Sequence, residues 1–257
     1  MSNSSQVGRH LDLYISSPQT CDYLADQKSE NIFISPEVKM TAGIYEYLIG
    51  VGFRRSGEHV YRPHCKACRA CISCRVNVTL FKPSKSQKRL LTKNKDLSFK
   101  SVEAQYSEEH FDLYQRYQTF KHPGGSMESF GEKEYQAFLC QSLGNGVIYE
   151  TRLNDKLLAI SVTDVFSNAL SAVYTFFDPE YSARSLGTNS VLRQIDAAQN
   201  GNKEHLYLGY YVEQSKKMSY KTNFKPIEML VEGRWQLYEK GEKLPLQSAN
   251  PDSPPSF

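Results

Sequence analysis

Four cysteines fall three residues apart in YRPHCKACRACISCRV, at Cys65, Cys68, Cys71 and Cys74. Thiols at that density suit soft metals and redox chemistry. Tetrahedral zinc usually takes two well-separated pairs, so one C-x2-C-x2-C-x2-C run does not easily surround an ion alone. An iron–sulfur loop begins C-x2-C-x2-C but sets its next cysteine one residue further on. His64 is a further candidate ligand beside the run. A second feature follows at once. FKPSKSQKRLLTKNK carries Lys82, Lys85, Lys88, Arg89, Lys93 and Lys95 and no acid, which reads either as a solvated helix face or as a surface that neutralises phosphates. A third is the turn DPEYSARSLGTN, where Arg184, Gly187 and Asn189 partly match the R/Q-x-x-G-x-G/A pattern that cradles an acyl donor's pyrophosphate on helix amides. Asn189 stands where that pattern has a small residue, which counts against coenzyme A, because backbone approach needs the space.

The elements that must hold these groups follow from composition and period. A chain of 257 residues, 40% hydrophobic and 12% aromatic, can bury a substantial core. There is no apolar run of about 18 residues and no hydrophobic signal core at the N-terminus, so neither a transmembrane helix nor export is expected, and a cytoplasmic location is. Six cysteines in this length do not make a disulfide scaffold. A net charge of +3 does not by itself demand nucleic acid.

HLDLYI alternates like a strand, the segment from Pro36 to Gly52 has helical spacing, and CRVNVTLF predicts a strand over 74–81. SEEHFDLYQRYQTFKHP predicts a helix capped by Ser107, and GEKEYQAFLCQSL a second. VIYETRL, LLAISVTDVF and LSAVYTFFD predict an antiparallel meander turned at Asn154-Asp155 and Ser167-Asn168. SLGTNSVLRQIDAAQNG predicts an amphipathic helix that Gly201 can stop, HLYLGYYV a short strand, and YKTNFKPIEMLV a last one. The tail from about residue 239 is polar and proline-rich and is expected to be disordered. The fold class is therefore mixed α+β. Meander, glycine-opened helix and further strands follow the plan of an acyltransferase of the GNAT type.

The motifs FRRSGEHVYRPHCKACRAC, VYTFFDP, RSLGTNSVLRQI, LYLGYYV and KMSYKTNFKP come in an order that resembles the aminoacyl-tRNA–protein transferases of the N-degron pathway. The resemblance spans roughly residues 10–235. It implies tandem GNAT-like acyltransferase units: an N-terminal transferase unit over 1–104 with the cysteine cluster and basic stretch, a C-terminal GNAT-like catalytic unit with the antiparallel meander over 105–238, and then a tail over 239–257. It also implies an enzyme that moves leucine from leucyl-tRNA to the α-amine of proteins beginning with Asp or Glu, marking them for degradation. Three readings stay open beside it: an arginyl-tRNA donor on the same scaffold, a coenzyme A-dependent acetyltransferase, and a non-catalytic RNA-binding metal-knuckle protein. Cys21, in TCDYL, lies in a family-like stretch and joins Cys65, Cys68 and Cys71 as the set that would hold zinc or an iron–sulfur cluster. The alternative is reduced thiols acting as small buried groups. No cofactor is required for the chemistry.

An amine attacking an aminoacyl ester needs little activation, since an α-amine titrates near 7.7–8.0. The site must supply position and donors to a developing oxyanion. The candidates are the backbone amides of Leu186, Gly187 and Thr188 and the side chains of Tyr174, Tyr210 and Tyr220, with Asp178 either binding an amine or capping its turn. An acidic acceptor residue calls for arginine, and Arg54, Arg55, Arg62 and Arg75 lie in or beside the motifs, Arg75 foremost. Lys82, Lys85, Lys88 and Arg89, with Lys216, Lys217 and Lys221, are the candidates for tRNA, whose unpaired 3′ end can stack on Phe176, Phe177 or Tyr211. The expected partners are leucyl-tRNA and proteins with N-terminal Asp or Glu; neither DNA nor a membrane is expected.

Overall fold

The computed structural model describes residues 11–245. In chain order the elements are β1 (Leu13–Ile15), β2 (Gln19–Thr20), β3 (Lys28–Ser29), β4 (Asn31–Ile34), α1 (Ala42–Gly50), β5 (Arg54–Ser56), β6 (His59–Pro63), β7 (Ile72–Asn77), α2 (Lys85–Lys93), β8 (Leu97–Glu103), α3 (Glu108–Lys121) and α4 (Glu132–Tyr135), which runs on as a π turn through Cys140. Then come β9 (Asn145–Leu153), β10 (Lys156–Val165), β11 (Ala169–Phe177), α5 (Leu186–Asn200), β12 (His205–Tyr211), β13 (Ile227–Val231) and β14 (Arg234–Tyr238).

The mixed α+β class is observed, and its centre is an antiparallel-rich sheet in the order β14-β13-β7-β12-β11-β10-β9-β8. β9, β10 and β11 form the expected meander, with Asn154 at φ 53° in the first turn, a conformation asparagine tolerates. Helix α5 then carries the chain to β12, which is parallel to β11. β10 is the deepest strand: Leu158, Ala159 and Ile160 have no exposed surface. Burying each of the larger two is worth about 1.5–3 kcal/mol. Helix α3 packs on one face of β10 and β11 with Phe111, Tyr114 and Tyr117, and α5 lies on the other, where Gln194 Nε2 donates to Thr163 Oγ1 at 2.7 Å.

Several expectations need correction. The division at residue 104 does not separate two sheets. β7 comes from the N-terminal half yet lies between β12 and β13, and β8 pairs with β9. The part of the N-terminal half that stands apart is a smaller sheet, β1-β4-β6-β5, with α1 against it. The strand expected over 74–81 is displaced to 72–77, because Asn77 Oδ1 accepts from the Leu80 amide at 3.2 Å and from Thr79 Oγ1 and turns the chain. Strands β8 and β14 were not expected. Ser107 stands at the start of α3 without making a side-chain cap. Residues 239–245 of the expected disordered tail are placed: Lys225 Nζ donates to the carbonyls of Glu239 at 3.2 Å and Glu242 at 3.0 Å, and Leu244 packs on the core. Residues 246–257 lie outside the described residues, as does His10 of the first expected strand.

One buried carboxylate joins the small sheet to the large one. Asp164 on β10 accepts from Arg55 Nε at 2.7 Å, Arg55 Nη2 at 2.8 Å and Tyr45 Oη at 2.9 Å, and all three side chains are buried. Removing one partner of such a pair strands a charge in the interior. Asp164→Asn is expected to lower unfolding free energy by about 3–5 kcal/mol, read as a lower denaturation midpoint in urea.

Candidate active site

The parallel pairing of β11 with β12 covers Ala169↔His205, Leu170↔Leu206 and Ser171↔Tyr207 and then stops. Just past that point each strand carries one extra residue: Val173 in β11, where the register with β10 shifts, and Leu208 in β12, where the register with β7 shifts. A bulge bends its strand and sharpens its twist, and here two bulges stand at the place where the strands part. Gly209 serves the second at φ 80°, a conformation side chains resist.

Helix α5 begins beside the carboxyl end of β11. Its preceding residue, Ser185, sits in the left-handed region and provides no side-chain cap. The amides of Leu186, Gly187 and Thr188 therefore have no hydrogen-bond partner among the described residues, and the helix dipole adds positive potential there. Gly187 packs over the ring of Phe177, where an added Cβ would stand 3.4 Å from Cε1. The turn before the helix is fixed from α2 and β8: Arg184 makes a two-pronged ion pair with Asp96 at 2.9 Å, Lys93 Nζ donates to Ala183 O at 2.7 Å, and Asn94 Nδ2 to Arg184 O at 3.0 Å. Arg184 is thus committed to Asp96. Asn189 is fully buried in the second turn of the helix.

Of the other catalytic candidates, Asp178 is held by its own turn and by Arg116. It has no exposed surface, its Oδ1 accepts from the Glu180 amide at 3.1 Å, and its Oδ2 stands 3.1 Å from Arg116 Nη1. It caps the turn. Tyr174 accepts from Gln118 Nε2 at 2.8 Å and packs on Phe138. Tyr210 donates to Gly52 O at 2.8 Å; Gly52 is held at φ 96° with Leu230 2.9 Å from where a Cβ would stand. Tyr220 is exposed. Phe176 and Tyr211 are core residues, so neither offers a face to a base, whereas Phe177 is only half-buried.

The four arginines do different work. Arg55 is consumed by Asp164, and Arg75 by Glu228, at 2.6 Å, with its guanidinium 4.2 Å over Trp235; neither is free to meet an acceptor. Arg54 is buried between the rings of Tyr207 and Tyr210, at 5.3 and 5.4 Å, and its Nη1 donates to the carbonyls of Phe53 and Ile49. Arg62 is partly buried, lies 5.1 Å over Phe53, and donates to Val51 O at 3.3 Å. Neither Arg54 nor Arg62 forms an ion pair among the described residues.

Arg62 lines a cavity of about 900 Å³ that opens among β6, β7 and the ends of β12 and β13. Cys21, Cys65, Cys68 and Cys71 line it too, and all are free thiols. Burial, with the neighbouring Cys65, Cys21 and Cys68, pushes the Cys71 thiol up to about 12. Among the described residues no group of three or more His, Cys, Asp or Glu stands in position to hold an ion. Cys74 faces the core, fully buried. Sequence reasoning passed over Arg69 and Asp22, which share the cavity; the signal was present as polar residues inside the cysteine run and next to Cys21. His64 is held below its ordinary range by burial and by the charges of Arg69 and Arg62.

Lys82, Lys85, Lys88 and Arg89 are exposed, as are Lys216 and Lys217. Gln87 connects the two stretches: its Oε1 and the Ser84 hydroxyl form the capping box of α2, while its Nε2 donates to Asn223 O at 2.9 Å. Lys221 does not belong with them. It is buried, its ammonium donates to Tyr210 O, and burial lowers its pKa to about 8.

Two family models match the chain, the N terminus of arginine-tRNA-protein transferase over residues 19–89 and its C terminus over 109–231. Among curated relatives, the aspartate/glutamate leucyltransferase of Pseudomonas fluorescens (strain Pf0-1) is 44% identical over 225 residues, 88% of this chain and 96% of the relative. That of Pseudomonas savastanoi pv. phaseolicola is 43% identical over the same shares, and that of Chromohalobacter salexigens 41% identical over 90% of this chain and 95% of the relative. These matches define an aminoacyl-transferring enzyme. The chain belongs to the arginine-tRNA–protein transferase family. No helix among the described residues is long and apolar enough to cross a membrane.

The clasp that keeps β7 within the sheet is testable. Glu228 on β13 meets Arg75 on β7, His205 on β12 at 3.4 Å and Asn77 Nδ2 at 2.9 Å. Burial raises its pKa, but the hydrogen bonds from His205 and Asn77 and the Arg75 charge outweigh it and bring the carboxyl to about 2. A carboxyl lowered in the folded state stabilises above its unfolded pKa and loses that contribution as pH falls through the folded value. Glu228→Gln is expected to be less stable at pH 7, by on the order of 2 kcal/mol, and to lose less between pH ~4.5 and ~2. Urea unfolding at stepped pH checks both.

Proposed function

We propose that the chain transfers leucine from leucyl-tRNA to the α-amine of proteins that begin with Asp or Glu. The observation that carries this reading is the row of unpaired α5 amides at the carboxyl end of β11, where β11 and β12 part. The neutral α-amine attacks the ester carbonyl carbon, and a C–N bond forms while the carbonyl oxygen takes the negative charge. The amides of Leu186, Gly187 and Thr188 donate to that oxygen. The C–O bond to the terminal ribose then breaks, the ribose oxygen takes up a proton released by the amine, and an amide and free tRNA leave. Positioning does most of the work, since the amine is partly neutral near pH 7.7–8.0.

Lys85, Lys88 and Arg89 on α2, with Lys216 and Lys217, would take tRNA phosphates. Tyr220, exposed on the same turn as Lys216 and Lys217, offers a face for the unpaired terminal base. Leucine as donor and Asp or Glu as acceptor are supported by the names of the relatives, which match nearly their whole length.

The experiment is a transfer assay with radiolabelled leucyl-tRNA or arginyl-tRNA and peptides beginning with Asp, Glu, Lys or Ala. Label is expected to pass from leucyl-tRNA to the Asp and Glu peptides alone. Transfer from arginyl-tRNA instead would replace the donor, and binding of tRNA without transfer from either would overturn the catalytic reading.

A further inference from the structure

Two cations inside this fold, the buried Arg55 and the half-buried Arg75, are matched by carboxylates. Arg55 has Asp164, and Arg75 has Glu228. Around Tyr210 the pattern breaks. Arg54 lies 5.4 Å over its ring, the Lys221 ammonium donates to its carbonyl, and Arg62 stands across the cavity wall beside it. None of the three is in an ion pair among the described residues, and the Nε of Arg54 has no hydrogen-bond partner there. Uncompensated cations in a medium of low dielectric constant attract an anion far more strongly than exposed ones. Only Arg62 of the three lines the cavity. Its Nη1 reaches the Val51 carbonyl, which leaves the rest of its five-donor fork available.

The cavity, of about 900 Å³, is far larger than one side chain, so a terminal residue and the start of the chain behind it can enter. Its wall is aromatic at Tyr61 and Tyr210 and acidic at Asp22 and Glu232. The acids are what a terminal ammonium meets before it loses its proton.

We infer that this cavity is the acceptor pocket and that Arg62, backed by Arg54 and Lys221, receives the side-chain carboxylate of the acceptor's first residue. The inference rests on the transferase reading for the identity of the acceptor, but the recognition itself is a binding event that needs no tRNA. Arginine matches a carboxylate with two parallel hydrogen bonds. The amide of Asn or Gln has the same shape without the charge and leaves the guanidinium uncompensated, so Arg62 is the specificity-determining residue.

The test is equilibrium binding, without tRNA, of fluorescein-labelled peptides that differ only in beginning with Asp or Asn. Wild-type protein is expected to bind the Asp peptide roughly tenfold or more tighter than the Asn peptide. Arg62→Gln is expected to bring the two within about twofold by weakening the Asp peptide alone, and Arg62→Lys, which keeps the charge and loses the fork, to fall between. A merely structural Arg62 would weaken both peptides alike and leave their ratio intact. No Asp preference in the wild type, or an unchanged ratio in Arg62→Gln, overturns the assignment. If Arg62→Gln does not fold, the wild-type and Arg62→Lys ratios decide. The transfer assay is scored separately: a wild type that prefers Asp but transfers no leucine keeps the pocket and loses the donor.

Discussion

The structure turns on one carboxylate with three donors. Asp164 sits on β10, takes Arg55 from the small sheet and Tyr45 from α1, and is shut away from water. Burial of a lone carboxylate is prohibitive, and with its donors in place the position of the small sheet on the large one is set by charge as well as by apolar contact. Everything at the far end of the sheet inherits that placement. The segment through Gly52 and Phe53 leads from α1 into β5, so its carbonyls reach Tyr210 and Arg54. Strand β7, which follows β6 in the chain, enters between β12 and β13. The two family models divide the chain near residue 100, but its hydrogen bonds do not.

A sheet so joined can afford to open at one place. β11 and β12 run parallel for three residue pairs and then separate, with a bulge on each strand and the uncapped start of α5 beside the gap. Parallel strands connected through a helix leave unpaired backbone at their carboxyl ends, the ordinary place for a ligand in such folds. The acceptor pocket opens at the same end of β12, on the side that Tyr210 faces, with Arg62 across it. The donor amides come from the C-terminal half of the chain and Arg62 from the N-terminal half, whose strand β7 pairs with β12.

Much of this was legible in the sequence. The meander, α3, α5 and β12 were readable because their apolar residues kept strict periods and their turns carried asparagine or glycine. Strands β8 and β14 were not, because they are edge strands: only Leu97 of β8 is fully buried, and β14 shows Leu237 to solvent. The basic run was visible as a run, but its helix was fixed by the reciprocal cap of Ser84 and Gln87. The arginines were named together because their type fits carboxylates. What separated them was distance in sequence: Arg55 and Asp164 are 109 positions apart, and Arg75 and Glu228 are 153. No local pattern signals such partners. Lys221 looked like its neighbours Lys216 and Lys217 and proved buried, since the turn of 216–223 folds it inward onto Tyr210. The cysteine spacing suggested a metal knuckle, and the fold parts the run: Cys65, Cys68 and Cys71 line the cavity with Cys21, while Cys74 is packed into the core.

The most direct measurement is a crystal structure with 3′-(leucylamino)-adenosine, in which an amide replaces the labile ester of the leucylated tRNA end. The expected result is the leucyl carbonyl oxygen within hydrogen-bond distance of the Gly187 or Thr188 amide, with the leucine between the parted ends of β11 and β12. A leucyl group bound elsewhere, with those amides facing solvent, would contradict the assignment of acyl transfer to the start of α5.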